Sequence, residues 1–476
     1  MGKLHFYWIT LPIIIFHQAV LANNCIPRHY GKSSFVCVCN ATYCDSAPIV
    51  GDLAAGQATL ITSTRADARF RSTIVNASPL YLTHYTADEI FIDASVQYQK
   101  IMGFGGAFTD ASGINIAKLS VLAQQNLLKS YFSTDGIEYG LGRVPIGGSD
   151  FSTRAYTYDD FPGDDSLSNF SLAREDLFFK IPYISWAQSL SSKPIKLFAS
   201  PWSAPAWMKS NGKLYGKGYL LQEYYQVWAD YFIRFFEEYK THNLTFFAVS
   251  PQNEPMDGNI PDFPFNCMGW TAGKNFHSNL RLETKGFASI KIMVMDDQRI
   301  LLPKWAETVL AHPEAKKYVA GVAVHWYGDL LSPPIALTSF HEKFPNHFIL
   351  ATEACEGDKP WQKAVSLGSW ERLESYAHNI IEDLNHWVTG WVDWNLVLDE
   401  KGGPNWSGNF VDSPIIINNI LDEFYKQPMY YGMGHFSKYI PEDSVRIGVT
   451  VIDGSDLFGT AFLRPDGKRT IVILNR

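Results

Sequence analysis

Two glutamates carry the chemistry this chain is expected to do. Glu254 lies in Phe-Ala-Val-Ser-Pro-Gln-Asn-Glu-Pro (247–255) and Glu353 in Phe-Ile-Leu-Ala-Thr-Glu-Ala-Cys (348–355). Each closes a short, mostly apolar run of the kind that forms a buried parallel strand. Two carboxyl groups at the carboxyl ends of two such strands can face one substrate. With the two about 5–5.5 Å apart, a protonated one can assist a departing sugar oxygen while an ionised one attacks the anomeric carbon; the outcome is glycosidic hydrolysis with retained stereochemistry. That division of roles predicts a raised pKa for Glu254, the general acid and base, and an ionised Glu353, the nucleophile. Mutual repulsion and burial of the acid would supply the split.

Other expected strand ends offer groups that could hold a sugar. Asp150, in Pro-Ile-Gly-Gly-Ser-Asp-Phe-Ser, can accept two hydroxyl hydrogens, although Asp also serves as a helix N-cap. Trp202 in Ala-Ser-Pro-Trp-Ser offers a ring face, and Asn253 directly precedes the acid, within reach of a 2-hydroxyl. His325, Trp326 and Tyr327 close the sixth run, Trp394 and Asn395 the eighth. A histidine such as His325 reads equally well as structural. Asp296, Asp297 and Arg299 after the fifth run read as an ion-pair network that holds the site.

Positioning such groups takes a barrel. Apolar runs recur at Ile101–Phe108, Tyr139–Ile146, Ile195–Pro201, Phe246–Pro251, Ile292–Met295, Val319–Tyr327, Phe348–Ala354 and Val388–Asn395. Amphipathic stretches such as Leu220–Tyr239 and Trp370–Trp387 lie between them. Eight strands with intervening helices predict an α/β fold, the (β/α)8 TIM barrel. The flanks differ. Residues 50–100 are rich in Thr, Val and Ile, and Val445–Val451, Leu457–Leu463 and Thr470–Leu474 read as strands, with a hairpin turn at Arg464-Pro-Asp-Gly-Lys468. The two flanks are expected to meet as one discontinuous all-β sandwich, whose last strand before Arg476 would leave an unpaired edge.

Residues 1–22 read as a secretory signal: Lys3, the apolar stretch Phe6–Phe16, then Val20-Leu21-Ala22 for cleavage. No later segment is apolar enough over sufficient length to span a bilayer. Cys25, Cys37, Cys39 and Cys44 crowd within 20 residues and read as two disulfides, with three pairings open; Cys267 and Cys355 read as free thiols. Asn40, Asn76, Asn169, Asn243 and Asn405 begin Asn-X-Ser/Thr triplets, acceptors for glycan in a secreted chain. The formal charge is −8. Loss of residues 1–22 leaves 39 Lys and Arg against 48 Asp and Glu, and protonating all 11 remaining His would carry the net charge from −9 to +2. An acidic compartment would therefore favour anionic lipid. No basic block or motif points to nucleic acid.

The runs around the two glutamates, with Asp150-Phe-Ser, Ala-Ser-Pro-Trp202, Val-His-Trp-Tyr327, Trp-Val-Asp-Trp394-Asn and Gly-Gly-Pro-Asn-Trp406 in order, resemble the glucosylceramidase branch of glycoside hydrolase family 30. The resemblance runs from Cys25 to the end of the chain. It implies Glu254 as general acid/base, Glu353 as nucleophile, and Asp150, Trp202, Asn253, Trp394 and Asn409 as the glucose-holding set. Arg143, His325 and Tyr327 would orient the carboxylates. It implies Cys25–Cys37 and Cys39–Cys44 disulfides, and a poor glycan acceptor at Asn405, leaving Asn40, Asn76, Asn169 and Asn243. The organisation implied is a small β region of 23–48 with 396–428, a sandwich of 49–99 with 442–476, and a barrel of 100–395 with 429–441. The family's chain continues past Arg476, so the final sandwich strands read as missing. Phe263 stands where vertebrate relatives carry Tyr, at the cleft rim.

The resemblance further implies glucosylceramide as substrate, a lysosomal lumen location with peripheral membrane association, a saposin-type activator and anionic phospholipid as helpers, and a lysosomal sorting receptor engaged through a helical stretch after Asp412. No metal or organic cofactor is expected. Lys209–Leu221 and Leu330-Leu331-Ser-Pro-Pro334 are expected to flank the pocket and touch lipid. Cys355, two residues past the nucleophile, would face the same way in a strand, so a bulky thiol reagent is expected to slow the enzyme. Two other readings stand beside this one: an endo-acting glucanase or xylanase, which would have an open cleft, and a non-catalytic sugar- or lipid-binding protein, which would not need both glutamates.

Overall fold

The computed structural model describes residues 4–6, 24–76, 89–272, 285–452 and 456–476. Most of the expected signal segment lies outside the described residues; Leu4–Phe6 forms a strand along the edge of Glu89–Lys100.

Eight parallel strands close a barrel in chain order: Gly103–Ala107, Leu141–Ile146, Lys196–Pro201, Phe246–Val249, Lys291–Gln298, Val319–His325, Phe348–Glu353 and Val388–Asn395. The expected TIM barrel is therefore present. Its strands are buried on both faces, as the continuous apolar runs require; all eight residues of Val388–Asn395 are buried. Leu141, Phe198, Ala248, Met293, Ala323, Leu350 and Val392, one from each of seven strands, pack as a single apolar cluster.

The alternation of a strand then places the polar layer. Two residues beyond this cluster, on the same face, come Arg143, Ser200, His325, Thr352 and Trp394. The fifth strand departs by one residue. Met295 and Asp296 have φ of 78° and 51°, and the register with the sixth strand shifts between Met295 and Asp297. This bulge re-aims the chain, so that Asp296, three residues beyond Met293, reaches the groups of the polar layer.

Outer helices cover the barrel. Trp370–Asn385 starts where the sequence indicates, whereas the helix between the third and fourth strands covers Tyr225–Thr241 rather than starting at Leu220. Leu220 bridges to Lys209 instead and is buried.

One flanking sheet runs Val397–Asp399, Ile415–Asn418, Glu423–Lys426, Phe35–Asn40, Pro27–His29, with disulfides Cys25–Cys37 and Cys39–Cys44 beside it. The expected helical stretch after Asp412 is instead a β-hairpin, Ile415–Asn418 with Glu423–Lys426. The run of three isoleucines favours a strand, and Asn418 Oδ1 accepts the N–H groups of Ile420 and Leu421 to make the turn. The next helix, Pro428–Ser437, has nine of its ten residues buried. The second flanking sheet runs Leu4–Phe6, Glu89–Lys100, Val445–Ile452, Leu457–Leu463, Arg469–Asn475. The turn at 464–468 is closed by Arg464 N–H to Lys468 O at 2.9 Å. No helix among the described residues is long and apolar enough to cross a membrane.

Candidate active site

The two glutamates meet at the carboxyl ends of the barrel strands. Glu254, His325 and Glu353 each bring one side-chain oxygen or nitrogen within 4.8 Å of the others. Glu353 ends the seventh strand. It accepts hydrogen bonds from Arg143 at one oxygen and from Tyr327 Oη at the other, the latter at 2.9 Å. Glu254 sits in a left-handed turn, φ 40°, tied by its N–H to Asp296 O at 2.9 Å. Its Oε1 accepts from Gln298 Nε2 at 2.7 Å and meets His325 Nδ1 at 3.0 Å.

Behind both lies Asp296. It is fully buried and takes Arg143 at 3.0 Å, Ser200 Oγ at 2.6 Å, Thr352 Oγ1 at 2.7 Å and His325 Nε2 at 3.1 Å. Burial alone would raise its pKa, but Arg143 and His325 hold it far below the usual carboxylate range. His325 shows the complementary effect. Burial would lower it, yet Glu353, Asp296 and Glu254 raise it to about 10. As a cation it donates from both nitrogens, to Glu254 and to Asp296. The Arg143 guanidinium also donates to Asn253 Oδ1 at 2.7 Å. It lies 5.0 Å from the Trp202 ring centre and 5.4 Å from that of Trp394. Its charge among these groups disfavours a bound metal cation.

The proton expected on Glu254 is distributed differently from the sequence reading. Burial acts to raise Glu254, but His325 and Arg143 bring it below its ordinary value, whereas burial raises Glu353 against the pull of His325 and Arg143. A neighbouring carboxyl explains the difference. Asp257 hydrogen-bonds Glu254 and is pushed up to about 11 by burial and by Glu254 and Asp297. Of the two carboxyl groups in contact, Asp257 is therefore the more basic and Glu254 the more acidic.

Around the pocket, Trp202 and Trp394 stack with centroids 5.0 Å apart, and Phe151 packs edge-on to Trp394. Asp150 Oδ2 accepts from Asn409 at 2.9 Å and from Asn405 at 3.0 Å, and burial lifts its carboxyl to about 7. All ten residues singled out from the sequence as catalytic, sugar-holding or orienting thus gather at one end of the barrel. Sequence reasoning missed Gln298, Asp257 and the direct role of Asn405, and it did not single out Ser200 or Thr352. The i+2 spacing beyond the apolar layer would have flagged the last two.

Other expectations need correction. Arg299 does not join Asp296 and Asp297; it pairs with Asp329, Glu382 and Asp383 outside the barrel mouth. Asp297 instead accepts the N–H groups of Met256 and Gln298. Lys209 is not lipid-facing: its ammonium is buried against Ser203 Oγ and the carbonyls of Leu214 and Cys267, and desolvation lowers it to about 8. Leu220 is 5 % exposed, whereas Leu330 and Leu331 are 84 % and 78 % exposed. Cys355 is a buried free thiol within 3.3 Å of Tyr327 Oη, closed to a bulky reagent unless the site opens. Phe263 packs edge-on against Phe265 at 4.5 Å. Asn405 uses its amide hydrogens on Asp150 and Asn409 O, which explains why its triplet would not take glycan. Asn76, Asn169 and Asn243 are exposed and Asn40 is half-buried.

A parallel barrel with paired carboxyl groups at its strand ends defines a glycoside hydrolase. The glycosyl hydrolase family 30 TIM-barrel domain matches residues 101–440, and the family's beta sandwich domain matches residues 443–476. The chain belongs to glycosyl hydrolase family 30. It is 49% identical over 464 residues to the lysosomal acid glucosylceramidase of Mus musculus, covering 96% of this chain and 90% of the relative. It is 31% identical over 414 residues to endo-1,6-beta-D-glucanase BGN16.3 of Trichoderma harzianum, covering 80% and 79%. The crystal structure of SrfJ from Salmonella typhimurium superposes with a TM-score of 0.79 at 29% identity, covering 86% of this chain and 90% of that one.

Proposed function

We propose that this protein is a retaining β-glucosidase that hydrolyses glucosylceramide to glucose and ceramide through a covalent glucosyl-enzyme. The observation that carries the reading is the approach of Glu254, His325 and Glu353 to within 4.8 Å of one another. Carboxyl oxygens that approach this closely suit a nucleophile and an acid acting on one anomeric carbon, the narrower of the two glycosidase arrangements. Glu353 attacks C1 from its seat on Arg143 and Tyr327. Glu254 delivers a proton to the glycosidic oxygen and later removes one from the incoming water. Asp150, Trp202, Asn253, Trp394 and Asn409 hold the glucosyl unit. The similarity to a mouse lysosomal enzyme supports a lysosomal setting, and the exposed Leu330 and Leu331 supply an apolar rim to meet a lipid surface.

An endo-acting β-1,6-glucanase is the second reading, supported by the fungal relative. The glucosidase reading is favoured by the higher identity to the mouse glucosylceramidase, 49% against 31% for the fungal glucanase. The test is a direct comparison of glucosylceramide in anionic liposomes with β-1,6-glucan. Single glucose units from the lipid support the proposal; oligosaccharides from the glucan and none from the lipid would overturn it. Labelling with a cyclitol epoxide and mapping the modified peptide identifies the nucleophile.

A further inference from the structure

Asp257 is a second carboxyl group built onto the acid/base. Three constraints fix its place. Its N–H donates to Glu254 O at 3.0 Å, closing a tight turn directly after the acid. Met256 N–H donates to Asp297 Oδ2 at 3.1 Å, which anchors that turn to the fifth strand. Gly258 lies so close to Met268 and Gly269 that an added Cβ would meet backbone at 1.9 Å, so the turn cannot back away. The side chain therefore stays against Glu254, with which it hydrogen-bonds.

Two carboxyl groups in direct hydrogen-bonding contact hold one proton between them, because two anions at that distance repel strongly. We propose that Asp257 is a positioning residue that shares one proton with Glu254 and so sets the protonation state of the acid/base.

The inference rests on the proposed glucosidase reading and adds a source for the acid's proton. His325 and Gln298 both donate to Glu254 and by themselves would favour its anion. Asp257 donates to the same carboxylate and favours its anion too, but it is the group that holds the proton, one hydrogen bond away from the acid. Its surroundings point the same way from every side: Glu254 in its own loop, Asp297 on the fifth strand and Glu353 on the seventh all oppose its ionisation, and Cys267 faces it from the far loop beside Lys209. The pair keeps its proton well into the alkaline range, Asp257 being lifted to about 11. When Glu254 gives the proton to the departing oxygen, the pair becomes doubly anionic. It then draws a proton from the incoming water as the glucosyl-enzyme is hydrolysed, which restores the starting state with no net change.

The test is the pH dependence of kcat/KM for Asp257→Asn and Asp257→Ala against the parent. Active sites are counted in each by the dinitrophenolate burst from 2,4-dinitrophenyl 2-deoxy-2-fluoro-β-glucoside, whose leaving group needs no acid. On glucosylceramide in detergent, the alkaline limb of both variants should move at least one pH unit toward acid, and kcat/KM above that limb should fall about tenfold or more. On 2,4-dinitrophenyl β-glucoside, kcat/KM should stay within a few-fold of the parent. Limbs superimposable on the parent's would overturn the proposal, and so would variants that give no burst, since Asp257 would then serve only the fold of its loop. A parent that gives neither burst nor glucose would instead defeat the glucosidase reading.

Discussion

Glu353 and Glu254 look into one pocket from unlike surroundings. Glu353 ends a strand, and its donors Arg143 and Tyr327 come from the second and sixth strands and their ends. Glu254 sits beyond its strand in a left-handed turn and is gripped by groups that themselves titrate or rotate: His325, Gln298 and Asp257. Under the proposed mechanism the difference separates two tasks. A nucleophile has to present one oxygen at one place, and rigid strand ends do that. An acid/base has to gain and lose a proton within each cycle, and needs neighbours that compensate the change. Strand ends fix position; the loop with its carboxyl partner tunes charge.

That comparison can be broken in order of effect. Glu353→Gln removes the proposed nucleophile and should lower kcat by roughly 10⁴-fold or more on lipid and aryl substrates alike. Glu254→Gln should cost about 10²–10⁴-fold on glucosylceramide, and far less on a dinitrophenyl glucoside in the first chemical step, read as a pre-steady-state burst. If the two variants lose the same amount on both substrates, the separation of tasks fails.

Stability should also lean to acid. Asp150 and Asp297 are raised to about 7 by burial, so the folded state binds their protons more tightly than the unfolded chain. The stability this gives is complete below the ordinary carboxyl range and is lost as pH climbs through 7. His325, raised to about 10, adds a contribution of the same sign, lost between 6.5 and 10. The buried His435, lowered to about 4 by desolvation, and His341, His347 and His378, also lowered by burial, oppose below 6.5. Asp159, Asp257 and Asp329 are raised as well, so the raised groups outnumber these four and Tm should rise by a few degrees between pH 7.5 and 5.5; a fall over that interval would contradict the charge assignments. The smallest effect is at the rim. Leu330→Ser with Leu331→Ser should lower liposome activity several-fold while sparing a soluble aryl glucoside, and equal loss on both would remove these side chains from lipid contact.

The barrel was readable because its strands are buried on both faces and so appear as unbroken apolar runs; Val388–Asn395 matches its run residue for residue. The two glutamates, Asp150 and the tryptophans were readable because they end such runs. Ser200 and Thr352 follow the strand period, but the rest of what escaped depends on backbone detours that leave no period in the sequence. Gln298 reaches Glu254 only because a bulge at Met295–Asp296 shifts the fifth strand. Asp257 reaches it only through the turn that Gly258 pins. Asn405 reads from the sequence only as a poor glycan acceptor; that its amide donates to Asp150 depends on the fold of its loop. The resemblance implies a helix after Asp412, although three consecutive isoleucines, Ile415 to Ile417, argue for the strand that forms. The uniform charge reversal at acid pH also fails as a count: buried His435 resists protonation while His325 already carries its proton, so the eleven do not titrate together.

Asp296 joins the second, third, sixth and seventh strands to the fifth through one buried carboxylate. Such a strut couples competence to architecture. On heating, catalytic decay and collapse of the β-cylinder should coincide instead of proceeding in stages. Conservative exchanges at Ser200 or Thr352, neither of which bonds Glu254 or Glu353, would slacken the whole assembly.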